Sequence, residues 1–265
     1  MSQRTKSNTS HDELLSQYDF RGGVRGKHSR EDERGHRVTI RKTDGRISIH
    51  LYSDSVQVPI GVHDLASFRQ WMRSDKSPEK APVFFLAGEV WLDMSKEQLF
   101  SHNQLKMVIA AVLWGLAKPV RGRFLPDGML LTNEEADLSG NPDGVFVFNS
   151  SIRSGRVRLI EGKEEGYVEL EGSPDMVLEV VSDSSVDKDN DLLMDLYWKA
   201  GIREYWLVDA RGERLEFQIY RHTARGYVTT RPASGWRKSP VFGKAFRLTR
   251  QLDELGHPDF TLDVK

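Results

Sequence analysis

The chain has 265 residues, of which 38% are hydrophobic and 29% charged, with a formal net charge of −1. This balance allows a packed core, as one large domain with extensions or two small ones, and argues against a uniformly basic nucleic-acid coat. Cysteine is absent, which excludes disulfides and thiolate zinc sites and fits a cytoplasmic protein.

The N-terminus leads into polar residues with no apolar signal core, and the longest strongly apolar stretch, Met107 to Ala117, is too short to span a bilayer. A soluble, cytoplasmic protein with no membrane partner is expected. Residues 1–36 are polar and mixed in charge, the composition of a disordered tail. Alternating Val38, Ile40, Ile47, Ile49 and Leu51 around Asp44-Gly45 predict a hairpin, and His63 to Arg73 a short helix. Together they form an N-terminal extension over 37–81. A second hairpin is expected at Val83 to Leu92. Ser95-Lys96-Glu97-Gln98 reads as a capping box that opens a helix running to about Ala117.

Strands follow at Met129 to Leu131 and Val145 to Phe148, and two more, Val157 to Ile160 and Tyr167 to Leu170, read as a hairpin insertion over about 150–172. Met176 to Val181 is an apolar, β-branched run typical of a buried strand. A helix over about Asp187 to Ala200 ends at Gly201, a good C′ residue. Tyr205 to Val208 and Leu215 to Tyr220 read as paired strands, and residues 221–265 as a β-rich extension. The fold class is mixed α/β, with the core over 82–220 and antiparallel additions.

Glu179 lies inside the Met176 to Val181 run, where an ionised carboxylate costs several kcal/mol unless it is paired or binds a metal. Asp143 follows Pro142 and begins the apolar run Gly144 to Phe148. Adjacent strands could bring both carboxylates to one sheet edge, where two hard oxygen ligands suit Mg²⁺ or Mn²⁺ with water completing the shell. Such an ion can activate water for phosphodiester hydrolysis. The competing reading has Asp143 capping a turn and Glu179 paired with a nearby Arg or Tyr. Asp127 and Asp175, each after a proline, read as turn residues. Tyr197, Trp198, Tyr205 and Trp206 read as core. Ten basic residues from Arg211 to Arg250, opposed only by Glu213 and Glu216, form either a phosphate-contacting surface or a solvated β surface.

Pro142-Asp143, then Pro174-Asp175-Met176-Val177-Leu178-Glu179-Val180-Val181-Ser182, then Tyr197 through Asp209 resemble the Uma-type putative restriction endonuclease family of the PD-(D/E)XK nuclease-like superfamily. The resemblance covers about Pro82 to Tyr220. It implies a restriction-endonuclease-like fold, a central mixed sheet flanked by helices with a metal site at one edge. It also implies DNA as the partner, Mg²⁺ or Mn²⁺ as the cofactor, and Asp143 and Glu179 as the metal ligands of a DNA endonuclease. A homodimer is one arrangement that would cut duplexes. The superfamily pattern has a lysine two residues after the glutamate, where this chain carries Val181. The family's alternative position on the next helix is Leu193. Lys188 is the nearest substitute, with a solvated surface charge as its other reading. His102, in the family's His-Asn pair, is a further candidate for the site or else a core hydrogen-bonding residue, and Glu97 serves either the helix N-terminus or a metal. The missing lysine keeps open an alternative, a catalytically inactive nuclease-fold protein that binds nucleic acid or a protein partner.

Overall fold

The computed structural model describes residues 37–43, 46–52, 58–59, 61–78, 83–92, 97–162, 165–182, 191–230 and 234–265. The expected tail, the Asp44-Gly45 turn and Lys188 lie outside these residues. The chain divides into two compact units, Met1–Asp54 and Ser55–Lys265. In the first, β1 (Arg37–Thr43) and β2 (Arg46–Tyr52) pair antiparallel with Ile40 opposite Ile49.

The second unit opens with α1 (Leu65–Met72). Its N-cap Asp64 accepts from the Ser67 amide at 2.8 Å, and the Ser67 hydroxyl accepts from the Asp64 amide at 3.1 Å. Next come β3 (Val83–Leu86), β4 (Glu89–Leu92), and a π-helical turn (Leu99–Gln104) that runs directly into α2 (Leu105–Ala117). The helical segment therefore begins at Leu99, later than a Ser95 cap would place it. Gln98 is the N-cap, and its side chain accepts from Ser101 Oγ at 2.7 Å without capping the helix. The chain continues through β5 (Gly122–Pro126), β6 (Leu130–Asn133), β7 (Leu138–Gly140), β8 (Gly144–Phe148), a helical turn α3 (Asn149–Arg153), β9 (Val157–Glu161), β10 (Tyr167–Gly172) and β11 (Met176–Val180). It closes with α4 (Leu193–Lys199), β12 (Glu204–Asp209), β13 (Glu216–Thr223), β14 (Gly226–Thr229), β15 (Arg237–Ser239), β16 (Lys244–Leu252) and β17 (Pro258–Val264).

Two six-stranded mixed sheets carry the fold. The first has the order β14-β13-β12-β11-β8-β5, the second β4-β3-β7-β6-β10-β9, and β15-β16-β17 form a small antiparallel sheet. Strands β11 and β12 are parallel because α4 carries the chain back between them, while β8 runs antiparallel to β11. Strand β10 pairs with β9 antiparallel and with β6 parallel, so residues 157–172 are built into the second sheet.

Side-chain alternation along β11 decides which layer meets which. Met176, Leu178 and Val180 pack with Leu105, Ile109 and Leu113 of α2 and with Phe246 and Phe260 of the small sheet. Val177 and Val181 face the other way, onto Leu193, Leu196 and Tyr197 of α4 and Leu131 and Leu170 of the second sheet. Helix α4 ends in a Schellman motif, with Gly201 at φ 68°, the Gly201 amide donating to Trp198 O and the Ile202 amide to Tyr197 O. Three of the four aromatic residues fill the core, with Tyr197, Tyr205 and Trp206 buried, while Trp198 is half-buried and donates to the Thr223 carbonyl.

Helix α1 is tied to the second sheet by a buried charge cluster. Arg69 donates to Glu169 at 2.7 Å, Glu171 at 2.6 Å and Glu134 at 2.6 Å, and Arg158 also pairs with Glu171. Burial alone would raise the Glu171 carboxyl, but hydrogen bonds from Arg69 and Arg158 outweigh it and hold the group below its ordinary value. That lowered value adds stability above the ordinary carboxylate pKa, and the contribution is lost as pH falls through the lowered one. Removing Arg69 would leave Glu169 and Glu171 charged and buried. Arg69→Met should therefore cost about 3–5 kcal/mol in urea denaturation near neutral pH. Its loss of stability toward acid should be shallower than that of the unsubstituted protein, and a parallel acid dependence would contradict the assignment.

Candidate active site

Strand β11 outruns its neighbour. The last β8 pairing is Leu178 with Gly144, yet β11 continues to Val180. Val180 therefore turns its amide and carbonyl toward a stretch where β8 is missing, and buried backbone groups need partners. Two side chains supply them. Asp143 Oδ2 accepts from the Val180 amide at 2.7 Å, and His102 Nε2 lies 3.0 Å from the Val180 carbonyl, which assigns the imidazole proton to Nε2. Gly144 has to be glycine because a Cβ there would come within 2.6 Å of the Phe124 ring. His102 sits in the π-helical turn, where the Asn103 amide reaches back to Gln98 O at 3.0 Å. Such turns are often found at functional sites.

Asp143 does more than cap the strand. Its Oδ1 lies 3.2 Å from Lys106 Nζ, and its Oδ2 lies 3.9 Å from His102 Nε2. Lys106 also donates to Asp127 Oδ2 at 2.8 Å and to Glu97 Oε1 at 3.1 Å. Three carboxylates thus meet one largely buried ammonium. Burial alone would lower the Lys106 amine, but the charges of Asp143 and Asp127 and the hydrogen bonds to Asp127 and Glu97 hold it above its ordinary value. Lys106 stays charged at neutral pH and cannot accept a proton. Burial pushes the Asp143 carboxyl up, against the opposing pull of Lys106 and His102. The His102 Nδ1 atom is buried, makes no hydrogen bond among the described residues and lies 3.7 Å from Glu97 Oε2.

Glu179 is held from the opposite layer. It is 4% exposed, and its Oε1 accepts from Tyr197 OH at 2.6 Å. The pairing with a tyrosine considered from sequence therefore occurs. The chain links the two carboxylates through one residue, since Asp143 binds the amide of Val180 and Glu179 directly precedes it. Hard oxygens at this strand end match the donor chemistry of Mg²⁺ or Mn²⁺ completed by water. Among the described residues no group of three His, Asp or Glu side chains is arranged to hold a metal ion by itself.

Val181 and Leu193 are buried in the same core cluster as Tyr197, so neither lysine position of the motif brings an amine to this site. The amine beside Asp143 comes from Lys106, which sequence reasoning passed over. The available signal was its spacing of four from His102, which places both on one helix face. Asp127 is more than a turn residue, because it anchors Lys106 and also lines a cleft of about 610 Å³ with Arg123, Arg153 and Tyr167. Asp175 stands at the bend before β11 and is more than a turn residue. It is fully buried, accepts from the Phe148 amide at 2.8 Å and Ser151 Oγ at 2.7 Å, and lies 3.0 Å from an Arg203 nitrogen. It fastens α3 to β11 and takes no part in the site.

Among the described residues no helix is long and apolar enough to cross a membrane. No curated protein sequence matches the chain. A crystal structure described as a putative nuclease belonging to DUF820, from Anabaena variabilis ATCC 29413, aligns at 17% identity and a TM-score of 0.51. The alignment covers 70% of this chain and 92% of that one, and at this identity the shared property is the fold. The model of the Uma2 family, described as "Putative restriction endonuclease", matches residues 65–251, most of the second unit and the whole of the site. As the motif resemblance implied, the chain belongs to the Uma2 family.

Proposed function

We propose that this protein is a metal-dependent DNA endonuclease acting in the cytoplasm, with Asp143 and Glu179 holding Mg²⁺ or Mn²⁺. The observation that carries this reading is the Asp143 hydrogen bond to the amide that follows Glu179, at the end of a buried strand. The family description and the nuclease fold neighbour support the same reaction class. A bound divalent cation would supply Lewis-acid polarisation and a lowered pKa for water.

The remaining work falls to the chain. Lys106 brings a permanent positive charge to the Asp143 side, where charge builds up on a phosphodiester under attack. Because it cannot take up a proton, its contribution is electrostatic. His102 grips the Val180 carbonyl and fixes the strand end on which both carboxylates depend. Tyr197, positioned by the Schellman turn of α4, orients Glu179. Glu97 and Asp127 keep the Lys106 ammonium in place.

Plasmid DNA incubated with the protein and Mg²⁺ or Mn²⁺ should be nicked or linearised, and a chelator should abolish the reaction. Asp143→Asn/Glu179→Gln keeps an acceptor for the Val180 amide and should fold normally, yet lose at least about a hundredfold in rate. Cleavage that survives the double substitution would remove these residues from the chemistry. No cleavage by either form, with no Mg²⁺ uptake in calorimetry, would favour a binding protein on a nuclease fold.

Lys106→Met should lower the cleavage rate by about 10²–10³-fold, the usual loss for one transition-state donor. It should also raise Mg²⁺ affinity, because a competing cation leaves the carboxylates. A loss of rate accompanied by weaker metal binding would make Lys106 a scaffold for Asp143 instead.

A further inference from the structure

Ten basic residues between 211 and 250 suggested either a phosphate-contacting surface or scattered solvated charge. The structure sorts them. Arg211 is chelated by Asp209, Arg214 lies 3.8 Å from Glu216, and Arg237 donates to Gln218. Arg247 bridges to Asp263 and lies over the Trp236 ring, and Arg250 donates to the carbonyls of Ala210, Gly212 and Glu213. Arg231 lies outside the described residues. Arg221, Arg225, Lys238 and Lys244 have no ion-pair partner among the described residues.

Two of these free cations converge. Arg221 on β13 and Lys238 on β15 line one surface hollow of about 1010 Å³ with Val228, Thr229, Thr230, Pro240 and Gly243. Among the described residues no carboxylate lines it. Thr230 is only 9% exposed, and its hydroxyl has no hydrogen-bond partner among the described residues. An unmet buried hydroxyl is unfavourable, and a bound oxyanion accepting from it would remove that cost. The wall carrying Lys238 is held firmly. Glu204, fully buried, accepts from Ser239 Oγ at 2.7 Å, the Val241 amide at 2.7 Å and Trp206 Nε1 at 2.9 Å. The β12–β13 register places Arg221 directly opposite Glu204. One buried acid therefore fixes the turn that presents one cation and sits across from the other.

We infer that this hollow binds a phosphate of a nucleic-acid backbone, anchoring the substrate away from the Asp143 and Glu179 carboxylates. The inference rests on the nuclease reading for the identity of the polyanion. In the first sheet the hollow lies two strands from β11 and level with its first residue, Met176, whereas Glu179 is near its end. Through Glu204, Arg221 shares the Met176 face of that sheet, whereas Glu179 points to the opposite face toward Tyr197, so the hollow would hold a part of the polyanion remote from the carboxylates. Arg221 supplies a planar pair of donors, Lys238 a point charge, and Thr229 and Thr230 hydroxyl donors.

The test is binding without cleavage. Anisotropy of a short labelled DNA duplex is followed in chelator, on the Asp143→Asn/Glu179→Gln background. Arg221→Glu/Lys238→Glu should weaken binding at least about tenfold and reduce the slope of log affinity against log salt by about two. The charge-matched control Arg214→Glu/Lys118→Glu should leave both nearly unchanged. Thr230→Val should weaken binding a few-fold without loss of thermal stability. DNA affinity unmoved by Arg221→Glu/Lys238→Glu overturns the inference. So does competition by polyglutamate as effective as by DNA, which would mark an acidic protein site, or phosphate binding at the hollow that DNA does not displace. If the protein proves unable to cut DNA, the same measurements still decide whether the hollow binds it.

Discussion

The site depends on a backbone mismatch. Strand β11 runs past the end of β8, and Val180 would leave an amide and a carbonyl facing a missing strand. Leaving two such groups unmet in a buried setting costs about 1–3 kcal/mol each. The fold meets them with a carboxylate and an imidazole, not with more strand. That choice fixes where Asp143 and His102 must stand. It ties the π-helical turn to the sheet and places a carboxylate at the strand end beside Glu179. A longer β8 would satisfy the ladder and leave Asp143 no structural reason to point there.

Charge then follows geometry. Glu97, Asp127 and Asp143 surround the single ammonium of Lys106, which leaves two negative charges uncompensated within that group. The raised Asp143 carboxyl reflects a buried acid that its neighbours only partly neutralise. On the proposed reading a divalent cation would relieve this imbalance, and Lys106 limits how much negative charge the folded protein carries without one. The same residue can thus stabilise the folded protein and assist chemistry, which is why metal affinity and rate must be read together.

Much of this was legible in the chain. The buried β11 run, the Gly201 terminus, the paired strands around residue 210 and the Pro142-Asp143 step are local patterns with local causes, and the family motif reads them together. The structure also contains what the sequence could not present. Strand β5, Gly122–Pro126, has one fully buried side chain, Phe124, and so lacks an alternating signal. Strand β7, Leu138–Gly140, is too short to show a period. Lys106 was hidden because its partners Asp127 and Asp143 come from distant parts of the chain and meet it only after the sheet forms. The arginines after residue 210 could not be sorted because their partners, Asp263 and three backbone carbonyls among them, are set by the fold of the small sheet.

The premise that a carboxylate in an apolar strand marks a site needs narrowing. Glu204, Asp175 and Glu169 are buried as deeply as Glu179, yet each has a structural task. Glu204 gathers three neutral donors and pins a turn, Asp175 fastens a helical turn to a strand, and Glu169 grips Arg69. Burial alone does not separate the two classes. The distinction lies in what surrounds the acid. The structural carboxylates sit where their donors are numerous and no second acid competes for them, or where arginine matches their charge. Asp143 shares one ammonium with two other acids at the open end of a ladder, and the β11 residue it binds, Val180, directly follows Glu179. On the proposed reading, an acid left under-neutralised where a sheet stops would accept a cation without dismantling the core, and this location, more than burial, is the reason for choosing the pair.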